Sequence, residues 1–162
     1  MTEDDVTRLA HLLAGACKRH GVHLAIAESC TGGGVAAACT RISGSSDWFE
    51  RGMVTYTDVA KREMLGVAEE TLAAHGAVSE EVAREMAAGA LKHSHADICV
   101  AVTGIAGPTG GVPGKPVGTV HFAWGVRDGQ IQARLFHFQG DRAAVRLQSV
   151  AIALQGLIDL LR

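Results

Sequence analysis

A chain of 162 residues, 48% hydrophobic and 20% charged, is long enough to bury one core and too apolar to stay disordered. Its formal net charge is −2 with no block of one sign, and aromatic residues make up only 4%. That balance excludes a basic nucleic-acid groove, a base-stacking platform and an anionic-membrane surface as its main business, so neither nucleic acid nor membrane is expected as a partner.

Four cysteines, Cys17, Cys30, Cys39 and Cys99, form no CxxC pair and have no histidine at zinc-finger spacing. Three of the four lie in Ala/Val-rich surroundings and read as reduced, buried thiols, and no metal site is expected. The opening MTEDDVTRLA lacks the basic start and apolar centre of a signal peptide, and no apolar run reaches the ~18 residues of a membrane span. The expected location is cytoplasmic.

In chain order, apolar residues at Val6, Leu9, Leu12, Leu13 and Ala16 predict a helix over Asp4 to His20, stopped by Gly21. VHLAIA has the length of a buried strand and runs into Glu28-Ser29-Cys30 and three glycines, with a helix predicted from Val35 to Ile42. Ser29 therefore sits at a strand-to-helix junction. A strand over Phe49 to Thr57 is followed by a short helix, Asp58 to Leu65, capped by Thr57 or Asp58. Ser79 opens a further helix whose stripe is Val82, Met86 and Ala90. Asp97 to Thr103 reads as a strand and leads into a glycine-rich loop that holds all three prolines. Gly118 to Val126 and Ile131 to Phe138 form a hairpin around Asp128-Gly129, and Asp141 to Leu161 a final helix. This order implies an α/β fold: a single domain, residues 1–162, with a mixed sheet flanked by helices on both faces.

Two glycine-rich loops follow two buried strands, ESCTGGG and TGIAGPTGG. Backbone N–H groups gathered at such places suit a phosphate or an oxyanion, and plain turns are the alternative. Neither loop matches GxGxxG, GxxxxGK[ST] or the GxSxG elbow. The first offers two nucleophiles, Ser29 and Cys30. No histidine falls beside an acidic partner in a way that suggests a Ser-His-Asp set, and His121 and His137 lie on the hairpin. Lys61, with Tyr56 five residues before it, is the more suggestive base, since a desolvated lysine loses proton affinity. A solvated helix lysine and an amphipathic strand-end tyrosine are the bland readings of the same two residues.

The strings AESCTGGGVAAACTRISGSSDWFERGMVTYTDVAKREMLGV, HGAVSEEVAREMA, VTGIAGPTGG, KPVGTVHFAW and GDRAAVR, in this order, resemble the CinA C-terminal domain family. Its stand-alone members are nicotinamide mononucleotide deamidases, and the resemblance runs from about Gly21 to the last helix. It implies an amidohydrolase with Ser29 as nucleophile and Lys61, assisted by Tyr56, as its activator. It also implies substrate contacts at Thr31, Gly32, Gly33, Thr103, Gly104, Arg142 and Arg146, the two arginines meeting the substrate phosphate. No cofactor is expected. A non-catalytic nucleotide-binding or competence-associated interaction module, a deamidase of free nicotinamide, and a homodimer stay open at this point.

Overall fold

Two strands occupy the centre of the molecule because nearly every residue in them can be buried. In the computed structural model, which describes residues 1–162, β1 (Leu24–Glu28) is buried throughout and β3 (Ile98–Gly104) at all but its last position. Strands apolar on both faces belong inside a sheet covered by helices, where parallel pairing is usual. They pair in parallel, Leu24 opposite Ile98 and Glu28 opposite Val102. β2 (Phe49–Val54) adds a parallel edge beside β1. β4 (Thr119–Val126) and β5 (Ile131–His137) continue from β3 as an antiparallel hairpin, giving the order β2-β1-β3-β4-β5.

Alternation along the strands divides the core in two. Leu24, Ile26, Ile98, Val100, Val102 and Phe122 face α1 (Glu3–His20), α2 (Gly34–Thr40) and α6 (Arg142–Leu160). The small residues Ala25, Ala27, Cys99, Ala101 and Ala123 face α3 (Asp58–Leu65), α4 (Glu69–His75) and α5 (Glu80–Lys92). Small side chains let α5 lie close, and its Gly89 sits so near the Leu65 carbonyl that no Cβ would fit. On the other face Gly156 of α6 packs directly on the Trp124 ring, whose Nε1 donates to the Ala153 carbonyl at 3.1 Å. By length and composition alone α6 could cross a membrane, but its Val145, Val150, Leu154 and Leu157 belong to the core.

The chain leaves β1 for β2 through α2 on one face and returns from β2 to β3 through α3, α4 and α5 on the other. Reversing direction across the sheet swaps the covered face, as right-handed crossovers require. The carboxyl ends of β1, β2 and β3 therefore meet at one crevice, the usual ligand position in such sheets.

The fold class and the order of elements agree with expectation. α4 was not anticipated. The second strand stops at Val54, so residues 55–57 form a linker into α3, which is capped by Thr57, its Oγ1 accepting from Ala60 N at 3.1 Å. Ser79 caps α5 through Val82 N at 3.2 Å. On the hairpin His121 lies opposite Leu135 and His137 opposite Thr119, so the two histidines do not face each other.

Candidate active site

Ser29 is the first residue beyond β1, and its N–H still donates to the Val102 carbonyl at 3.0 Å, so strand geometry sets its direction. Its neighbours' side chains turn toward the other face of the sheet, although Cys30 also borders the cavity that holds Ser29. The Cys30 side chain joins the apolar cluster under α1, α2 and α6, where burial pushes its thiol up to about 12. A thiol held that high is not a thiolate at neutral pH.

Glu28 is fully buried. Its Oε1 accepts from Thr31 Oγ1 at 2.6 Å and from Val35 N at 2.9 Å, and Oε2 from Ala36 N at 3.0 Å. The protein's own carboxylate thus occupies the start of α2, the position at which the sequence suggested an anion site. Gly32 N is spent on the Ser29 carbonyl at 3.0 Å, and neither Gly32 nor Gly33 lines the cavity that holds Ser29, nor does Thr31. The amides of Cys30 and Thr31, directly after Ser29, make no hydrogen bond within the chain.

Lys61 comes from the first turn of α3 and is 1% exposed. Its Nζ donates to Ser29 Oγ at 3.0 Å and to the Thr55 carbonyl at 2.9 Å. Burial holds the amine below the ordinary lysine value, with the charge of Asp58 pulling the other way. The solvated-lysine reading is overturned by this burial. Tyr56 differs from expectation: its ring is 55% exposed and its hydroxyl accepts from Arg142 Nη2 at 2.7 Å, with no bond to Ser29 or Lys61. Ser29 and Lys61 meet directly, without a relay.

A cavity of about 260 Å³ lies over this pair, and Tyr56, Asp58, Thr103, Gly104 and Arg142 help to line it. No histidine does. Arg142, the first residue of α6, is steadied by Nη1 on the Gly107 carbonyl at 2.9 Å and by Tyr56, while its remaining N–H groups stay free. Thr103 spends its hydroxyl on the Ala77 carbonyl at 2.8 Å. At Gly104 an added Cβ would press on Val120 and the Thr119 carbonyl, so strand packing already demands glycine there. Arg146 lies elsewhere. It donates to the Thr31 carbonyl at 3.2 Å and lines a separate cavity of about 270 Å³ between α1, α2 and α6, which Ser29 does not reach.

Asp58, Glu28 and Thr55 were missed in the sequence. Glu28 had a signal, a charged residue closing an otherwise apolar strand. Thr55 contributes a backbone carbonyl, which any residue type would supply. Nowhere in the chain do three His, Cys, Asp or Glu side chains converge as metal ligands would.

The CinA C-terminal domain model matches residues 6–161, almost the whole chain and every element of this site. The chain belongs to the CinA C-terminal domain family. Among its family relatives, nicotinamide-nucleotide amidohydrolase PncC of Escherichia coli K12 is 54% identical over 157 residues, covering 97% of this chain and 95% of the relative. The enzyme of the same description from Pseudomonas putida is 50% identical, covering 97% and 98%. The crystal structure of the competence/damage inducible protein CihA from Agrobacterium tumefaciens superimposes with a TM-score of 0.95 at 47% identity, covering 98% of this chain and 96% of that one.

Proposed function

We propose that this chain is an amidohydrolase that converts nicotinamide mononucleotide and water into nicotinic acid mononucleotide and ammonia. One observation carries the chemistry: a buried lysine amine 3.0 Å from a serine hydroxyl at the floor of a cavity. The substrate comes from the family relatives, which are named for this nucleotide and align over nearly their full length.

Serine is a weak nucleophile at neutral pH and needs a base. Neutral Lys61 takes the Ser29 proton as Oγ bonds to the carboxamide carbon. The amide of Cys30, free within the chain and at the edge of the cavity, donates to the resulting oxyanion. Lys61 then passes its proton to the amide nitrogen, the C–N bond breaks and ammonia leaves. In the second half Lys61 takes a proton from water, hydroxide equivalent adds to the acyl carbon, and the proton returns to Ser29 as the carboxylate departs. The roles follow the logic of other serine–lysine hydrolases.

Arg142 is the residue for the substrate phosphate. Its fork is already oriented by Gly107 and Tyr56 and opens on the cavity, whereas Arg146 faces the other side of the nucleophile turn. Tyr56 acts here as a brace for Arg142. Ammonia release from nicotinamide mononucleotide, measured with the unaltered protein and with Ser29→Ala, tests the proposal. Binding of the nucleotide without turnover by the unaltered protein would return the chain to a binding module.

A further inference from the structure

We propose that Thr55 is a positioning residue for the serine–lysine pair, orienting the amine through its carbonyl and setting the Ser29–Lys61 distance through its hydroxyl. The inference rests on the serine–lysine reading above. A lysine acting as base must be neutral, with one lone pair to aim. The Lys61 amine has two buried partners, Ser29 Oγ at 3.0 Å and the Thr55 carbonyl at 2.9 Å. An N–H held on the carbonyl leaves the lone pair free to turn to the serine proton. A third group that orients the base is the arrangement by which activated nucleophiles work in general. Here a main-chain oxygen fills the place that a carboxylate takes beside histidine.

That carbonyl is itself held. The β1–β2 ladder ends with Glu28 opposite Val54, and Thr55, fully buried, comes next. Its N–H donates to the Glu28 carbonyl at 2.7 Å, and its hydroxyl donates to the same oxygen at 3.2 Å. Ser29 follows Glu28 directly, and Lys61 hangs from Thr55 through its amine. One carbonyl oxygen therefore ties together the two segments whose spacing decides whether proton transfer is direct. The hydroxyl is the only part of this latch that a side chain supplies.

Thr55→Val keeps the shape and removes the hydroxyl, while Thr55→Ser keeps the hydroxyl. With nicotinamide mononucleotide as substrate, Thr55→Val is expected to lose roughly ten- to a hundred-fold in kcat at little change in KM, since misplacement by a fraction of an ångström weakens transfer but not binding. The carbonyl also stabilises the ammonium form of Lys61, so loosening it moves the acid limb of the kcat–pH profile to lower pH. Thr55→Ser restores both properties. If Thr55→Val does not fold, as judged by circular dichroism, Thr55→Ala lacks the same hydroxyl and enters the comparison in its place. Unchanged kcat, an unmoved acid limb, or a Thr55→Ser protein as slow as the hydroxyl-free variant overturns the inference. Ser29→Ala separates the two levels: activity without Ser29 removes the serine reading itself, whereas an inactive Ser29→Ala beside a normal Thr55→Val removes only the role of Thr55.

Discussion

Lys61 Nζ and Ser29 Oγ lie 3.0 Å apart across 32 residues of sequence, and both side chains are buried. The contact joins the carboxyl end of β1 to the first turn of α3. An ammonium in that position gives up most of its hydration and gains a hydroxyl and a carbonyl in return, a poor exchange for a full charge. The same exchange is good for a neutral amine, which is why burial lowers its proton affinity.

Ser29→Ala should abolish ammonia release while leaving the melting temperature within a few degrees of the parent. Cys30→Ala should keep kcat within about three-fold, because a thiol pushed up to about 12 by burial supplies no thiolate at neutral pH. Native protein should likewise resist alkylation by iodoacetamide at pH 7. Rapid inactivation tracking modification of Cys30 would reverse the assignment of the nucleophile.

Lys61→Arg places a group that cannot release its proton where a base is required, and should cost about 10²–10⁴ in kcat. In the proposed mechanism the active form of the unaltered protein has neutral Lys61. Because burial depresses the amine's pKa, activity should rise with pH along an acid limb centred below the ordinary lysine value of 10.5. Asp58 favours the charged amine, so Asp58→Asn should move that limb to still lower pH. A shift to higher pH would contradict the electrostatic account of this pair.

Arg142→Ala should raise KM for nicotinamide mononucleotide by roughly ten- to a hundred-fold, the size of a charge-assisted hydrogen bond or two. The dephosphorylated riboside should be handled no worse by the variant than by the parent. Arg146→Ala is the control, expected to leave KM near the parent value, since its guanidinium lies in the other cavity.

Glu28→Ala leaves the Val35 and Ala36 amides and the Thr31 hydroxyl without their buried acceptor. Orphaned donors of this kind cost about 1–3 kcal/mol each when unrelieved, and partial relaxation brings the expected loss to about 2–4 kcal/mol. For a chain of this size that is a fall of roughly 5–15 °C in Tm, read by thermal melting. An unchanged melt would show that the start of α2 can be satisfied without the carboxylate.

The amino-acid sequence alone determined the elements and the class of fold. Period and length mark β1 and β3 as buried strands, because burial on both faces demands unbroken apolar runs. Cap residues such as Thr57 and Ser79 announce helix starts, because orphan amides need a nearby side-chain acceptor. The short α4, with no side-chain cap, carried too weak a local signal to be seen. The family resemblance of the motif strings pointed to Ser29, Tyr56 and Lys61 as catalytic candidates and to Arg142 and Arg146, with the two glycine-rich loops, as substrate contacts. Only the tertiary structure decided which groups meet: that Lys61 is buried against Ser29, that Tyr56 braces Arg142, that Arg146 faces another cavity, and that Glu28 fills the start of α2. Those outcomes depend on contacts made across tens of residues by crossover connections, and on backbone oxygens that carry no letter in the sequence. Local periodicity records which face of an element is apolar, but the neighbour of a polar group is settled only when the sheet and its two helical layers close around it.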